Sequence, residues 1–200
     1  MSERLLYVID DGNTDKKIEM LQAQILPENI KADVAVVPKG CDKAVYYNMV
    51  GMESDADYTI YLNGDFFICG ADMTVMLIEA LRQNDDVALV GLHGTNKFSV
   101  DLCQWQNDFA NLSVGVYTAK FINSKVLATS KYIPWRESTG LDDGLLYMGH
   151  VIDVQRQNKK TVVLAHEQKY LSDEIFSRLY QAGIQVFQKI YGKYLFPLVS

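Results

Sequence analysis

The chain reads as an α/β protein with a mostly parallel central sheet, and three observations lead there. Four compact apolar runs, Leu5 to Ile9, Val34 to Val37, Tyr58 to Leu62 and Val87 to Gly91, punctuate its first half. The segments between them carry apolar residues at helical spacing. The runs are apolar nearly throughout rather than alternating, as strands are when helices cover both faces of their sheet.

The elements follow in order. After the first strand, Asn13 or Thr14 caps a helix whose Ile18, Leu21 and Ile25 share one face, and Pro27 ends it. Val34 to Val37 is the second strand, stopped by Pro38-Lys39-Gly40. Asp42 suits the N-cap of a helix through Met52, with Ala44, Tyr47 and Val50 or Gly51 on one side. Beyond the third strand, Asp72 is placed to cap a helix carrying Val75, Leu77, Ile78 and Leu81. The rhythm breaks across residues 92 to 135, a long excursion with short strands near Val114 to Tyr117 and Lys125 to Ala128. Thr161 to Ala165 is a further strand. A closing helix starts near Ser172, with Asp173 and Glu174 where negative charge suits the helix dipole. Its apolar face runs through Ile175, Leu179, Ala182, Val186, Ile190 and Tyr194.

Bulk properties set the class. Two hundred residues, 48% hydrophobic and 22% charged, make one ordinary globular domain. A formal charge of −6 weighs against a nucleic-acid partner and means that an anionic substrate needs a cation or local basic groups. Cys41, Cys69 and Cys103 are scattered, with neither zinc spacing nor an even disulfide framework. The opening MSERLLYVIDDG has no apolar leader, and no run is long enough to span a bilayer, so the expected compartment is the cytoplasm. Near the end, VFQKIYGKYLFPLV mixes Lys189 and Lys193 with aromatic residues. Two charges are too few for stable anchoring, so membrane contact is at most peripheral. The segment is expected to pack on its own domain or on a second subunit in a homo-oligomer.

Three groups of aspartates are candidates for chemistry. Asp65 lies in the turn Asn63-Gly64-Asp65 at the end of the third strand, where α/β sheets place their ligands. Asp10 and Asp11 end the first strand in VIDDGNTD, within reach of a nucleotide. Asp142 and Asp143 stand between two glycines on what reads as a loop. Loop aspartates are common for backbone reasons alone, so each group also has a plain reading as a turn or a cap. Among the histidines, His93 and His150 share no metal spacing with His166, and only His166, after the last strand, is kept as an added ligand to a cation or phosphate. GxSxG, GxxxxGK[ST] and GxGxxG are all absent, which removes hydrolases and P-loop enzymes and weakens a dinucleotide reading.

At KAVYYNMVGMESDADYTIYLNGDFFI, DVALVGLHGT and VLATSKYIPWRES the chain resembles the small bacterial family-2-like glycosyltransferases of the streptomycin-cluster type, which have the GT-A fold, a Rossmann-like sheet. The resemblance covers most of the chain. It implies a single transferase domain, with a nucleotide-binding half over about 1–95 and an acceptor-side half over about 96–200. It implies transfer from a nucleotide-sugar donor to a glycan or glycoconjugate acceptor, with inversion and with Mn²⁺ or Mg²⁺, in polysaccharide assembly. Asp65 then matches the final acid of the family's metal motif, and Asn63 stands where relatives carry His or Asp. Asp10, Asp11 and Lys39 line the donor's nucleotide end, and Asp142 or Asp143 falls near the acceptor-side base. Asn123-Ser124 replaces the family's Asp-Gly, and GLDDGLLY replaces a loop that begins Gly-Trp. Those departures keep open a second reading, a GT-A-like binding or accessory protein without chemistry. A nucleotidyltransferase is disfavoured, because no Gly- and Arg-rich loop follows the first strand.

Overall fold

The computed structural model describes residues 2–10, 14–63, 68, 70–83, 86–96, 108–109, 112–122, 126–137 and 143–165, with 143–145 described by backbone only. Its elements are β1 (Glu3–Ile9), α1 (Thr14–Gln22), β2 (Ile30–Val36), α2 (Lys43–Glu53), β3 (Tyr58–Leu62), α3 (Ala71–Arg82), β4 (Val87–Gly91), β5 (Gly94–Thr95), β6 (Gly115–Thr118), β7 (Phe121–Ile122), β8 (Val126–Thr129), α4 (Asp143–Arg156) and β9 (Lys160–Ala165). Seven strands form one sheet in the order β2-β1-β3-β8-β4-β9-β6, and β5 pairs with β7 apart from it. β1 is parallel to β2 and β3, and β4 to β9. β8 runs antiparallel to β3 and β4, and β6 to β9. Five strands thus point one way and two the other, the mostly parallel sheet that the apolar runs predict.

Successive residues of each strand face opposite sides. Leu5, Tyr7 and Ile9 join Ile60, Leu62, Val126 and Leu164 in one core, which Leu77, Ile78 and Leu81 of α3 and Leu21 of α1 cover. Leu6, Val8, Tyr61, Leu127 and Val163 enter the other core, closed by Ala44 and Tyr47 of α2 and Tyr147, Val151 and Val154 of α4. Burial on both faces accounts for the lack of alternation in the sequence.

β3 and β4 fall on the predicted residues, and Asp42 does cap α2, its carboxylate accepting from the Val45 N–H at 3.1 Å. Four expectations are corrected. α1 ends at Gln22, which leaves Ile25 91% exposed rather than on a buried face. Just past the helix end, the Gln24 side chain turns inward to the hydroxyls described below. Gly70, not Asp72, is the N-cap of α3, and Asp72 lies inside its first turn, where its charge complements the dipole. β2 begins at Ile30, before its apolar run, because the ladder with β1 is continuous from Glu3↔Ile30 to Ile9↔Val36. Asp143 is the first residue of α4 rather than a loop residue. The predicted Asn13 cap and the closing helix from Ser172 lie outside the described residues.

Candidate functional site

The carboxyl ends of β1, β2 and β3 meet at one edge of the sheet. The Asp10 N–H donates to the Leu62 carbonyl at 3.3 Å, and the Val37 N–H to the Ile9 carbonyl at 2.9 Å. Since Ile9 pairs with Leu62, Asp10 and Asn63 stand side by side, one step beyond the ladder. The Asp10 carboxylate is wholly buried. Its Oδ1 accepts from Lys17 Nζ at 3.3 Å and its Oδ2 from Lys43 Nζ at 2.9 Å. Lys17 is sealed at 1% exposure, whereas Lys43, the first residue of α2, keeps 16%. Asn63 is also buried, and among the described residues nothing hydrogen-bonds its Oδ1. A buried amide oxygen of this kind suits a hard cation or an incoming N–H or O–H.

Lys39 sits on the turn after β2, closed by Cys41 N–H to Pro38 carbonyl at 3.0 Å, with Gly40 at φ +79°. That positive φ is a conformation that glycine adopts without strain. The Lys39 side chain is exposed at the same edge.

Behind this edge stands an aromatic wall. Tyr47 and Tyr61 each lie within about 5 Å of Trp135, and Tyr147 packs edge-on to Trp135 at 5.2 Å. His150 stacks on Trp135 with centroids 3.7 Å apart and planes 7° from parallel. Burial pushes the His150 imidazole down to about 3 and the Tyr61 phenol up to about 12, so both stay neutral. The wall is fixed by Asn48 of α2, which treats Trp135 as a strand partner would. Its amide donates to the Trp135 carbonyl at 2.9 Å and accepts from the Trp135 N–H at 2.7 Å and the Tyr132 hydroxyl at 3.1 Å. The Tyr132 ring lies so close to Gly51 that a Cβ there would come within 2.4 Å. Arg136 in turn grips Asp153 of α4 through two bonds of 2.9 and 2.8 Å. The IPWRE segment therefore ties α2 to the helix that Asp143 begins.

On the opposite face, a buried network reaches the backbone of Ile68. The Tyr7 hydroxyl lies 2.7 Å from Thr74 Oγ1 and 3.1 Å from Gln24 Oε1, and Gln24 Nε2 donates to the Ile68 carbonyl at 3.0 Å. These groups satisfy one another within an apolar core, where an unmade bond is costly.

Of the predicted residues, Asp10, Asn63 and Lys39 come together at this edge. Asp11, Asp65, Asp142 and His166, and the side chain of Asp143, lie outside the described residues. Lys17, Lys43, Gln24 and Asn48 were missed. The one available signal was that Asp10 and Asn63 each follow an apolar run, which marks two strand ends but not the side chains that reach them from α1 and α2.

Comparison with known proteins decides the family. The model for the glycosyltransferase-like family matches residues 5–191. The chain belongs to that family. One solved structure shows the kinship of fold, and two more superpose less closely. A mannosyltransferase from Pyrobaculum calidifontis, solved with GDP-Man and Mn²⁺, superposes with a TM-score of 0.54 at 9% identity, covering 88% of this chain. The chain spans 60% of that protein's length. A197 from STIV gives 0.48 at 12% identity over 85% of this chain and 87% of its own, and S. aureus TarS 1–349 gives 0.46 at 10% over 81% and 58%. No curated protein matches the sequence. The fold is thus GT-A-like, and the glycosyltransferase reading of the IPWRE and YLNGD segments agrees with the family found. Among the described residues, no helix of this glycosyltransferase-family chain is long and apolar enough to cross a membrane.

Proposed function

We propose that the protein is a cation-dependent glycosyltransferase that moves a sugar from a nucleotide-sugar donor to a glycan or glycoconjugate acceptor with inversion. The observation that carries this reading is the convergence of Asp10, Asn63 and the Lys39 turn at the carboxyl edge of the sheet in a chain of the glycosyltransferase-like family. The donor's nucleotide end lies along that edge, near Asp10, Asp11 and Lys39.

The cation is a matter of fit. Among the described residues, no group of three His, Cys, Asp or Glu could hold a metal. The buried Asn63 Oδ1 is an oxygen ligand that Mn²⁺ or Mg²⁺ accepts, and Asp65, two residues on, supplies the carboxylate, with His166 as a further ligand. A bound cation supplies charge neutralisation for the leaving diphosphate. The chain's own residues do the rest. Asp143 or Asp142 takes the proton from the acceptor hydroxyl. The acceptor oxygen bonds to the anomeric carbon as its bond to the diphosphate breaks, and the nucleoside diphosphate departs.

Calorimetric titration with UDP, GDP and their sugar conjugates, with and without Mn²⁺, tests the reading. The neighbouring fold solved with GDP-Man makes GDP-mannose the first conjugate to try. Tighter binding with Mn²⁺ that Asp65→Ala removes supports it. Absence of all nucleotide binding favours the accessory-protein reading instead.

A further inference from the structure

We propose that Asn48 and Arg136 are positioning residues for the transfer step. Through the segment from Tyr132 to Arg136 they hold the head of α4, where the acceptor-side base stands, level with the head of α2 at the donor edge. The proposal rests on the glycosyltransferase reading above and deepens it.

The topology brings the two heads to one edge. α2 follows β2 and so begins at the carboxyl edge, beside the Lys39 turn. β9 is parallel to β4 and starts at Lys160, so α4 ends near the amino edge at Arg156 and begins at the carboxyl edge with Asp143. Tyr47 and Tyr147 each stand four residues past the first residue of their helix, Lys43 and Asp143. Their hydroxyls are 3.2 Å apart, so the two helices start level with each other. Trp135 lies between them, 4.9 Å from Tyr47 and 5.2 Å from Tyr147 between ring centroids.

The chain from β8 to α4 has to climb from the amino edge, where Thr129 pairs with Thr59, to the carboxyl edge. It climbs between the helices, and two side chains grip it. Asn48 of α2 takes both backbone groups of Trp135, and Arg136 takes both carboxylate oxygens of Asp153 on α4. A two-point grip fixes direction as well as distance. Sliding α4 along α2 would carry the base away from the donor's anomeric carbon, and a misplacement of about 1 Å can cost on the order of a hundredfold in rate. Both residues act through the backbone of α4, and neither needs to touch donor or acceptor.

The test separates donor binding from turnover in wild type, Arg136→Met and Arg136→Lys. Calorimetry of the GDP- and UDP-sugar conjugates in Mn²⁺ gives affinity and the number of donor sites. Release of GDP or UDP, with methyl mannoside or water as acceptor, gives turnover. For Arg136→Met, turnover per donor site should fall roughly ten- to a hundredfold, with affinity and the number of sites unchanged. Arg136→Lys keeps the charge and loses the two-point grip, so its turnover should lie between the two. A purely structural role would lower the number of sites, or the affinity, together with turnover. That result overturns the proposal, as does turnover per site that stays at the wild-type value. Should Arg136→Met not fold, Arg136→Lys and Asn48→Asp are read by the same criterion. Wild type that binds the conjugates and releases no diphosphate from any of them refutes the parent reading, an outcome distinct from wild-type turnover that Arg136 leaves untouched.

Discussion

The two ends of the sheet carry the same kinds of charge and use them differently. At the amino end, Arg4 pairs with Asp33 at 3.4 Å and with Asp55, and its backbone N–H donates to Asp57 at 2.7 Å. Arg82 there bridges Glu3 and Glu79. The Arg4 side chain and its partners are about half to seven-tenths exposed, beside an open groove of about 270 Å³. At the carboxyl end, one fully buried aspartate holds two lysines. Exposed pairs are screened by water and salt, whereas buried ones keep their charge effects. The residues alone do not tell the two ends apart; burial does.

The largest expected effect comes from the buried end. Asp10→Ala takes the carboxylate from the interior Lys17 ammonium and from the partly exposed Lys43 and should destabilise the fold by about 3–5 kcal/mol. Urea unfolding measures it, and a loss below about 1 kcal/mol would mean that Asp10 is no more than a surface partner. Asn48→Ala comes next. It strands the N–H and carbonyl of Trp135 and should cost about 2–3 kcal/mol. Asn48→Asp, which keeps the acceptor and loses the donor, should recover only part.

His150 supplies a pH signature for the wall. Its folded pKa, about 3, lies below the unfolded value near 6.5. Below 6.5 the unfolded chain binds a proton that the native chain refuses. The stability due to neutral His150 is therefore complete above 6.5 and is lost as pH falls from there towards 3. The slope is about 1.4 kcal/mol per pH unit in that window. His150→Phe keeps the stack and should flatten the curve by that amount, and an unchanged slope would show that the imidazole is reached by water. The smallest effect belongs to the exposed end. Arg4→Ala should cost under about 1 kcal/mol, and less still in 0.5 M salt.

The same contrast explains what the sequence discloses. Apolar runs are local, so Tyr58–Leu62 and Val87–Gly91 can be read to the residue, as can the Asp42 cap three residues from its Val45 partner. β5 and β7 are two residues each and hold together by a long-range pairing that leaves no period to detect. Asp10 and Asn63 were legible as strand ends. Their partners were not, because Lys43 is an ordinary helix-start lysine until the fold brings it to Asp10 across 33 positions. Asn48 and Trp135 lie 87 positions apart, and a bidentate amide has no signature in spacing. Nothing local marks Gln24, three residues beyond Leu21, as the bridge between Tyr7 and the Ile68 carbonyl.

The central claim is that the donor lies on the carboxyl edge of the sheet, and backbone amide NMR during titration with GDP or UDP tests it most directly. The moving signals should cluster at Asp10, Val37 to Lys43 and Asn63, while Arg4, Asp33 and Asp55 stay still. Shifts gathered instead around Arg4, Asp33 and Asp55 would contradict it.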